Sequence, residues 1–275
     1  MYCMKKWAAA LLFLLPLSLQ AAKVDTLQVK SPSMNKSIEV VVVSPDVSQS
    51  TPCPVIYLLH GYGGNARTWI GIKPDLPRIA DEKGIIFVCP DGKNTWYWDS
   101  PLQADVRYET FISGELVRYV DTHYKTVADR KGRAITGLSM GGHGAMWNAL
   151  RHSDVFSAAG STSGGVDIRP FPKNWEMSVQ LGDQAKYPGN WEKQTVINLV
   201  PTLKKGQLAL IFDCGESDFF LEVNKNYHEA LLKQGIDHDF ITRPGGHDSE
   251  YWNNSIDYQI LFFTKHFQRM NSLSK

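Results

Sequence analysis

Six short apolar runs recur along this chain, at residues 55–59, 85–89, 134–136, 156–160, 208–212 and 239–242. Runs this short with little polar alternation suit strands buried on both faces of a parallel sheet. Longer amphipathic stretches separate them. Tyr108, Ile112, Leu116 and Tyr119 repeat at helical spacing. So do Val223, Tyr227, Ala230 and Leu231, and Gly235 supplies a helix stop beyond them. A last helix is expected around 256–267. Parallel strands need crossover connections, and helices supply them with a right-handed turn. The pattern predicts an α/β class: a three-layer sandwich around a mostly parallel sheet. Two β-rich stretches at 24–30 and 37–44 precede it, joined by a polar turn. They predict an antiparallel N-terminal hairpin.

Composition agrees with an enclosed core. Hydrophobic residues make up 43% of the 275 and charged residues 21%, the balance of an ordinary globular domain. The formal net charge is +1 and no basic tract occurs, so nucleic-acid binding has no electrostatic support. Residues 1–21 combine Lys5 and Lys6, an apolar run from Trp7 to Leu19, and Ala21 with Ala22 after it. That order predicts a secretory signal peptide, export to a secreted or periplasmic location, and no stable membrane insertion once the signal is removed. Residues 22–275 then form one domain. Cys53, Cys89 and Cys214 remain, an odd number. Cys53 and Cys89 fall at opposite ends of expected neighbouring strands, too far apart for a disulfide. Buried free thiols are expected.

One segment breaks the rhythm. Residues 165–205 carry Trp175, Trp191, several prolines and little periodicity. A long irregular insertion in a compact domain is expected to be functional, here as a cap.

The strongest chemical signal is Gly137-Leu138-Ser139-Met140-Gly141. A strand-like segment precedes it and a helix-like one follows, the context of a nucleophile elbow. The serine sits at a sharp turn so that its hydroxyl stands clear of the sheet. A serine needs a base. His247 lies in Pro244-Gly245-Gly246-His247-Asp248, after the final strand candidate and at the carboxyl end of the sheet, where ligands bind. The acid comes from Asp213-Cys214-Gly215-Glu216-Ser217-Asp218. Asp213 and Glu216 are alternatives, but Asp218 lies further into the loop and is better placed to reach the imidazole. Developing charge on a substrate carbonyl oxygen needs two backbone N–H donors. Met140 follows the nucleophile. Tyr62 lies in the glycine-rich loop His60-Gly61-Tyr62-Gly63-Gly64 and is the second candidate.

With these segments in order, the chain resembles the putative-esterase (esterase D-like) family of α/β-hydrolases. The resemblance covers roughly residues 30–268. It rests on the His60–Gly64 loop, Asp91-Gly92 through Trp98-Asp99-Ser100-Pro101, the elbow, Cys214–Asp218 and Pro244–Asp248. It implies an α/β-hydrolase fold and hydrolysis of carboxylic esters through an acyl-serine. It implies Ser139, Asp218 and His247 as catalytic residues and Tyr62 and Met140 as oxyanion donors. No metal or cofactor is implied. The Trp96–Pro101 stretch looks most like secreted esterases acting on acetyl or feruloyl esters of plant polysaccharide, so the expected partner is a small-molecule or carbohydrate ester. Trp96, Trp98, Asp99 and Trp175 are then candidate substrate-binding residues. Acyl transfer to a sugar or lipid acceptor, and a catalytically inert binding protein of the same fold, are the rival readings.

Overall fold

The computed structural model describes residues 22–272; the expected signal segment at 1–21 lies outside them. Among the described residues eight strands form one sheet. These are β1 (Lys23–Ser31), β2 (Lys36–Ser44), β3 (Val55–Leu59), β4 (Ile86–Pro90), β5 (Arg133–Gly137), β6 (Ala158–Thr162), β7 (Ala209–Gly215) and β8 (Asp239–Arg243). Their spatial order is β1-β2-β4-β3-β5-β6-β7-β8. β1 pairs antiparallel with β2, in the expected hairpin, and β2 runs antiparallel to β4. Every pairing from β4 through β8 is parallel.

Every residue of β3, β4, β5 and β6 is buried; β3 and β4 therefore read as continuous apolar runs, while β5 and β6 also bury Arg133, Thr136, Ser161 and Thr162. Alternation survives across the sheet. Tyr57, Val88 and Phe212 face one core; Ile56, Phe87 and Ile211 face the other. Met146 of helix Met140–Arg151 and Tyr227 of helix Leu221–Lys233 pack into the first core. Ile79 of helix Leu76–Lys83 and Ile256, Ile260 and Phe263 of helix Ser249–Ser272 pack into the second. Helices on both faces complete the three layers. Cys53, Cys89 and Cys214 are buried and free.

Two elements differ from expectation. The periodic stretch from Tyr108 is not one regular α-helix: Phe111–Leu116 is a π-helical segment between Tyr108–Thr110 and Val117–His123. The wider turn still places Ile112 and Leu116 in the core. The last helix begins at Ser249, a turn or two earlier than its apolar residues signal. Its polar first turn is held by Asp248, whose carboxylate accepts the Tyr251 N–H at 2.9 Å.

The chain visits β3, steps outward to β4, then returns past β3 to β5. β3 and β5 are therefore adjacent strands whose outgoing connections head to opposite sides of the sheet. Such a switch point opens a crevice at the carboxyl ends of the strands.

Candidate active site

Ser139 follows β5 and its backbone is strained, at φ 54° and ψ −118°. A non-glycine residue rarely holds such a conformation, and it clusters at functional turns. The flanking glycines show what enforces it. A Cβ on Gly141 would collide with the Leu59 carbonyl oxygen of β3, and one on Gly137 would collide with the Gly141 carbonyl. The elbow helix can approach the sheet this closely only without side chains there.

The elbow presents Ser139 Oγ to His247. Nε2 of His247 lies 2.8 Å from Oγ, and Nδ1 lies 2.9 Å from Asp218 Oδ2. An ionised carboxylate only accepts. Nδ1–H therefore donates to Asp218, which leaves Nε2 bare to accept the Ser139 hydroxyl. The other Asp218 oxygen accepts the Phe220 N–H at 2.8 Å. The loops carrying acid and base are joined by two backbone bonds, Glu216 N–H to Arg243 O and Ser217 N–H to Gly245 O, each 2.9 Å.

Asp213, the rival acid, points elsewhere. It is buried at the end of β7 and accepts from Thr162 Oγ1 at 2.7 Å, from Gln259 Nε2 at 2.8 Å and from the Ser255 hydroxyl. It joins β6, β7 and the terminal helix beneath the site. Burial pushes its carboxyl above the usual range, against those hydrogen bonds. Glu216 is exposed.

The backbone N–H groups of Met140 and Tyr62 have no acceptor among the described residues. Met140 opens the elbow helix, whose first amides have no internal partner. The Tyr62 loop is held by His60, which is buried. Its Nε2 accepts the Gly92 N–H at 2.8 Å, so Nδ1–H donates to Gly61 O at 2.7 Å. Asn94 Oδ1 accepts the Gly63 N–H at 2.9 Å. Tyr97 donates its hydroxyl to His60 O at 3.0 Å.

A pocket of about 300 Å³ opens over Ser139 and His247, walled by Tyr62, Leu138, Trp175, Phe219 and Trp252. Phe219 lies against the His247 ring, centroids 4.2 Å apart, and Trp252 meets it edge-on at 5.1 Å. Trp175 stacks on Phe219 at 5.6 Å. Partial desolvation, and after it the Glu176 carboxylate nearby, push the Tyr62 phenol up. Neither Phe219 nor Trp252 stands out in the sequence, yet Phe219 directly follows the candidate acid and Trp252 sits five residues past the candidate base. That adjacency was the available signal.

Three expected contact residues are placed differently. Trp96 and Trp98 are 1% and 0% exposed, stacked on each other behind the pocket. Trp98 donates its indole N–H to His143 Nε2 at 2.8 Å. Both Asp99 oxygens are taken by Thr110, through its N–H at 3.0 Å and its hydroxyl at 2.6 Å. These residues support the wall rather than face a ligand. Trp175 alone of the four lines the pocket. His143 is buried and donates from Nδ1 to Gly165 O at 2.9 Å, tying the elbow helix to the start of the irregular segment. Burial pushes its pKa down to about 4.

No group of three or more metal-ligating side chains occurs among the described residues, and no helix among them is long and apolar enough to cross a membrane.

Comparison with known proteins assigns the chain to a family. An acetyl esterase from Caldicellulosiruptor saccharolyticus is 28% identical over 225 residues, covering 76% of this chain and 83% of that one. A mouse (Mus musculus) S-formylglutathione hydrolase is 23% identical over 77% of this chain and 82% of its own. A solved ferulic acid esterase superposes with a TM-score of 0.78 at 28% identity, over 90% of this chain and 98% of its own. The family model described as putative esterase matches residues 31–263. The chain therefore belongs to the putative esterase family, as an α/β-hydrolase-fold carboxylic ester hydrolase.

Proposed function

We propose that the protein hydrolyses small carboxylic esters through a covalent acyl-Ser139 intermediate. The observation that carries this reading is the unbroken chain from Asp218 through His247 to Ser139 Oγ at the floor of a pocket. In the first half-reaction Oγ attacks the ester carbonyl carbon and its proton passes to His247 Nε2. Asp218 holds the tautomer and stabilises the imidazolium without taking the proton. The carbonyl oxygen, now negative, is met by the Tyr62 and Met140 N–H groups, each worth roughly 3 kcal/mol in such a hole. His247 then protonates the leaving alcohol. Water then attacks the acyl carbon as His247 takes one of its protons; the bond from that carbon to Ser139 Oγ breaks, His247 returns the proton to Oγ, and the acid leaves.

Size and wall chemistry select the acyl group. A volume near 300 Å³ with aromatic walls suits acetyl or a flat phenolic acyl chain better than a long flexible one. The names of the acetyl esterase and ferulic acid esterase relatives point the same way, and carbohydrate-linked esters are the natural form of such groups. Trp175 and the rest of the 165–205 segment serve as a cap over the site. Residues 1–21 support export to a secreted or periplasmic location.

A panel of p-nitrophenyl acetate, butyrate and octanoate, with methyl ferulate and acetylated xylan, tests the reading. The acetate and ferulate esters should exceed the octanoate in kcat/KM by about tenfold or more, the scale at which a closed pocket rejects excess methylenes. Fastest turnover of octanoate would contradict it.

A further inference from the structure

We propose that a second cavity, at the opposite end of the sheet from Ser139, binds a small carboxylate with an apolar body. The cavity measures about 390 Å³, within the range that encloses a small organic ligand. It opens where β6, β7 and β8 begin: Ser157 precedes β6, Leu208 precedes β7, Ala209 and Leu210 start it, and Asp239 starts β8. The loops carrying Asp218 and His247 leave the other ends of β7 and β8, and Ser139 follows the same end of β5. The seven residues of β7 put roughly 20 Å between the two sites.

The charge inside is unusual. Arg130 and Arg269 both line the cavity. Arg130 donates to the carbonyls of Ser153 at 2.8 Å and Gln207 at 2.9 Å. Among the described residues neither guanidinium pairs with a carboxylate. His266 lines the same cavity and is 3% exposed. Its Nε2 bonds the Ser157 hydroxyl at 2.9 Å and its Nδ1 has no hydrogen-bond partner among the described residues. Burial, then the two arginines, push its pKa down to about 4. Two guanidiniums with no ion-pair partner among the described residues, both acting on a neutral imidazole, favour a single carboxylate seated against them, and guanidinium matches carboxylate geometry.

The rest of the lining sets the body of the ligand. Leu208, Leu210, Phe262 and Met270 are apolar. Asp237 and Asp239 line the cavity as exposed residues, and Asp237 faces Lys205 at 3.6 Å. Two exposed carboxylates oppose a polyanion but tolerate a single charge seated against the arginines. An aromatic or short aliphatic monocarboxylate meets all three conditions. The acids released by ester hydrolysis fall in this class, but the cavity's binding does not depend on the Ser139 chemistry.

Benzoate, with benzyl alcohol as its uncharged counterpart, tests the proposal by NMR of the histidine imidazoles. Benzoate should produce saturating shifts at His266 and His238 with a Kd on the order of 1 mM, and benzyl alcohol should not. Arg269→Gln, an exposed change outside the core, should weaken benzoate about fivefold or more by removing one charge-assisted contact. Shifts confined to His247 would place the ligand in the catalytic pocket and overturn the proposal. So would the absence of saturation, or an affinity unchanged in Arg269→Gln. The separate His247 signal keeps this result independent of whether the catalytic reading stands.

Discussion

Asp213 and Asp218 leave the same strand five residues apart, and their surroundings give them opposite tasks. Asp218 spends one oxygen on a backbone N–H and the other on His247. Asp213 spends both on the side chains of Thr162, Ser255 and Gln259, with the Arg243 guanidinium 3.4 Å away. Asp218→Asn should leave the fold intact and lower kcat by about 10⁴, because the amide cannot hold the Nδ1–H tautomer. Asp213→Asn should act on stability instead, costing about 1–3 kcal/mol for a misplaced buried donor. Steady-state kinetics beside thermal melts separates them, and the reverse ranking would move the acid. The distinction was partly legible from the chain. Loop position favoured Asp218, but nothing local announces that Thr162 and Gln259, distant in sequence, consume Asp213. The tryptophans at 96 and 98 illustrate the same limit. Their composition suggests stacking on a ligand, whereas burial against His143 decides their place.

At the scale of elements, the glycines that shape turns are not equivalent. Gly235 ends helix Leu221–Lys233 with φ 71° and nothing near the position of a Cβ. Gly235→Ala should cost about 1 kcal/mol, the strain of a left-handed alanine. Gly141→Ala should be far worse and should lower soluble yield, since its Cβ meets the backbone of β3. Thermal melts check the pair; equal effects would contradict the packing described for the elbow. Strands were the most legible elements, because burial on both faces writes an apolar run. The π-helical turn at Phe111–Leu116 was not, since its apolar spacing remains compatible with an ordinary helix. The 165–205 segment announced irregularity but not its course. Its short helices Met177–Leu181 and Pro188–Lys193 are too brief to show a period, and its placement follows from long-range contacts such as His143 to Gly165.

For the whole molecule, protonation links stability to pH. His143 and His266 are held neutral with pKa values of about 4. Their folded values lie below the unfolded one near 6.5. They therefore contribute stability above that pH, lost as pH falls from there through about 4, because the unfolded chain takes up protons that the fold refuses. Glu109 adds to the loss. Burial opposes its ionisation, yet hydrogen bonds from His152, Arg151 and Trp147 override it and hold the carboxyl below its usual range. Urea melts at about pH 7, 5.5 and 4 should show a decline of a few kcal/mol in all. A flat profile would contradict the burial of the two histidines.

The covalent intermediate is the central claim, and acid-quenched mass spectrometry tests it most directly. The protein mixed with p-nitrophenyl acetate and quenched within one turnover should carry an acetyl group on the peptide containing Ser139. Ser139→Ala should carry none and lose about 10³-fold or more of its turnover. An acetyl group on another residue, or turnover surviving undiminished in Ser139→Ala, would contradict the account.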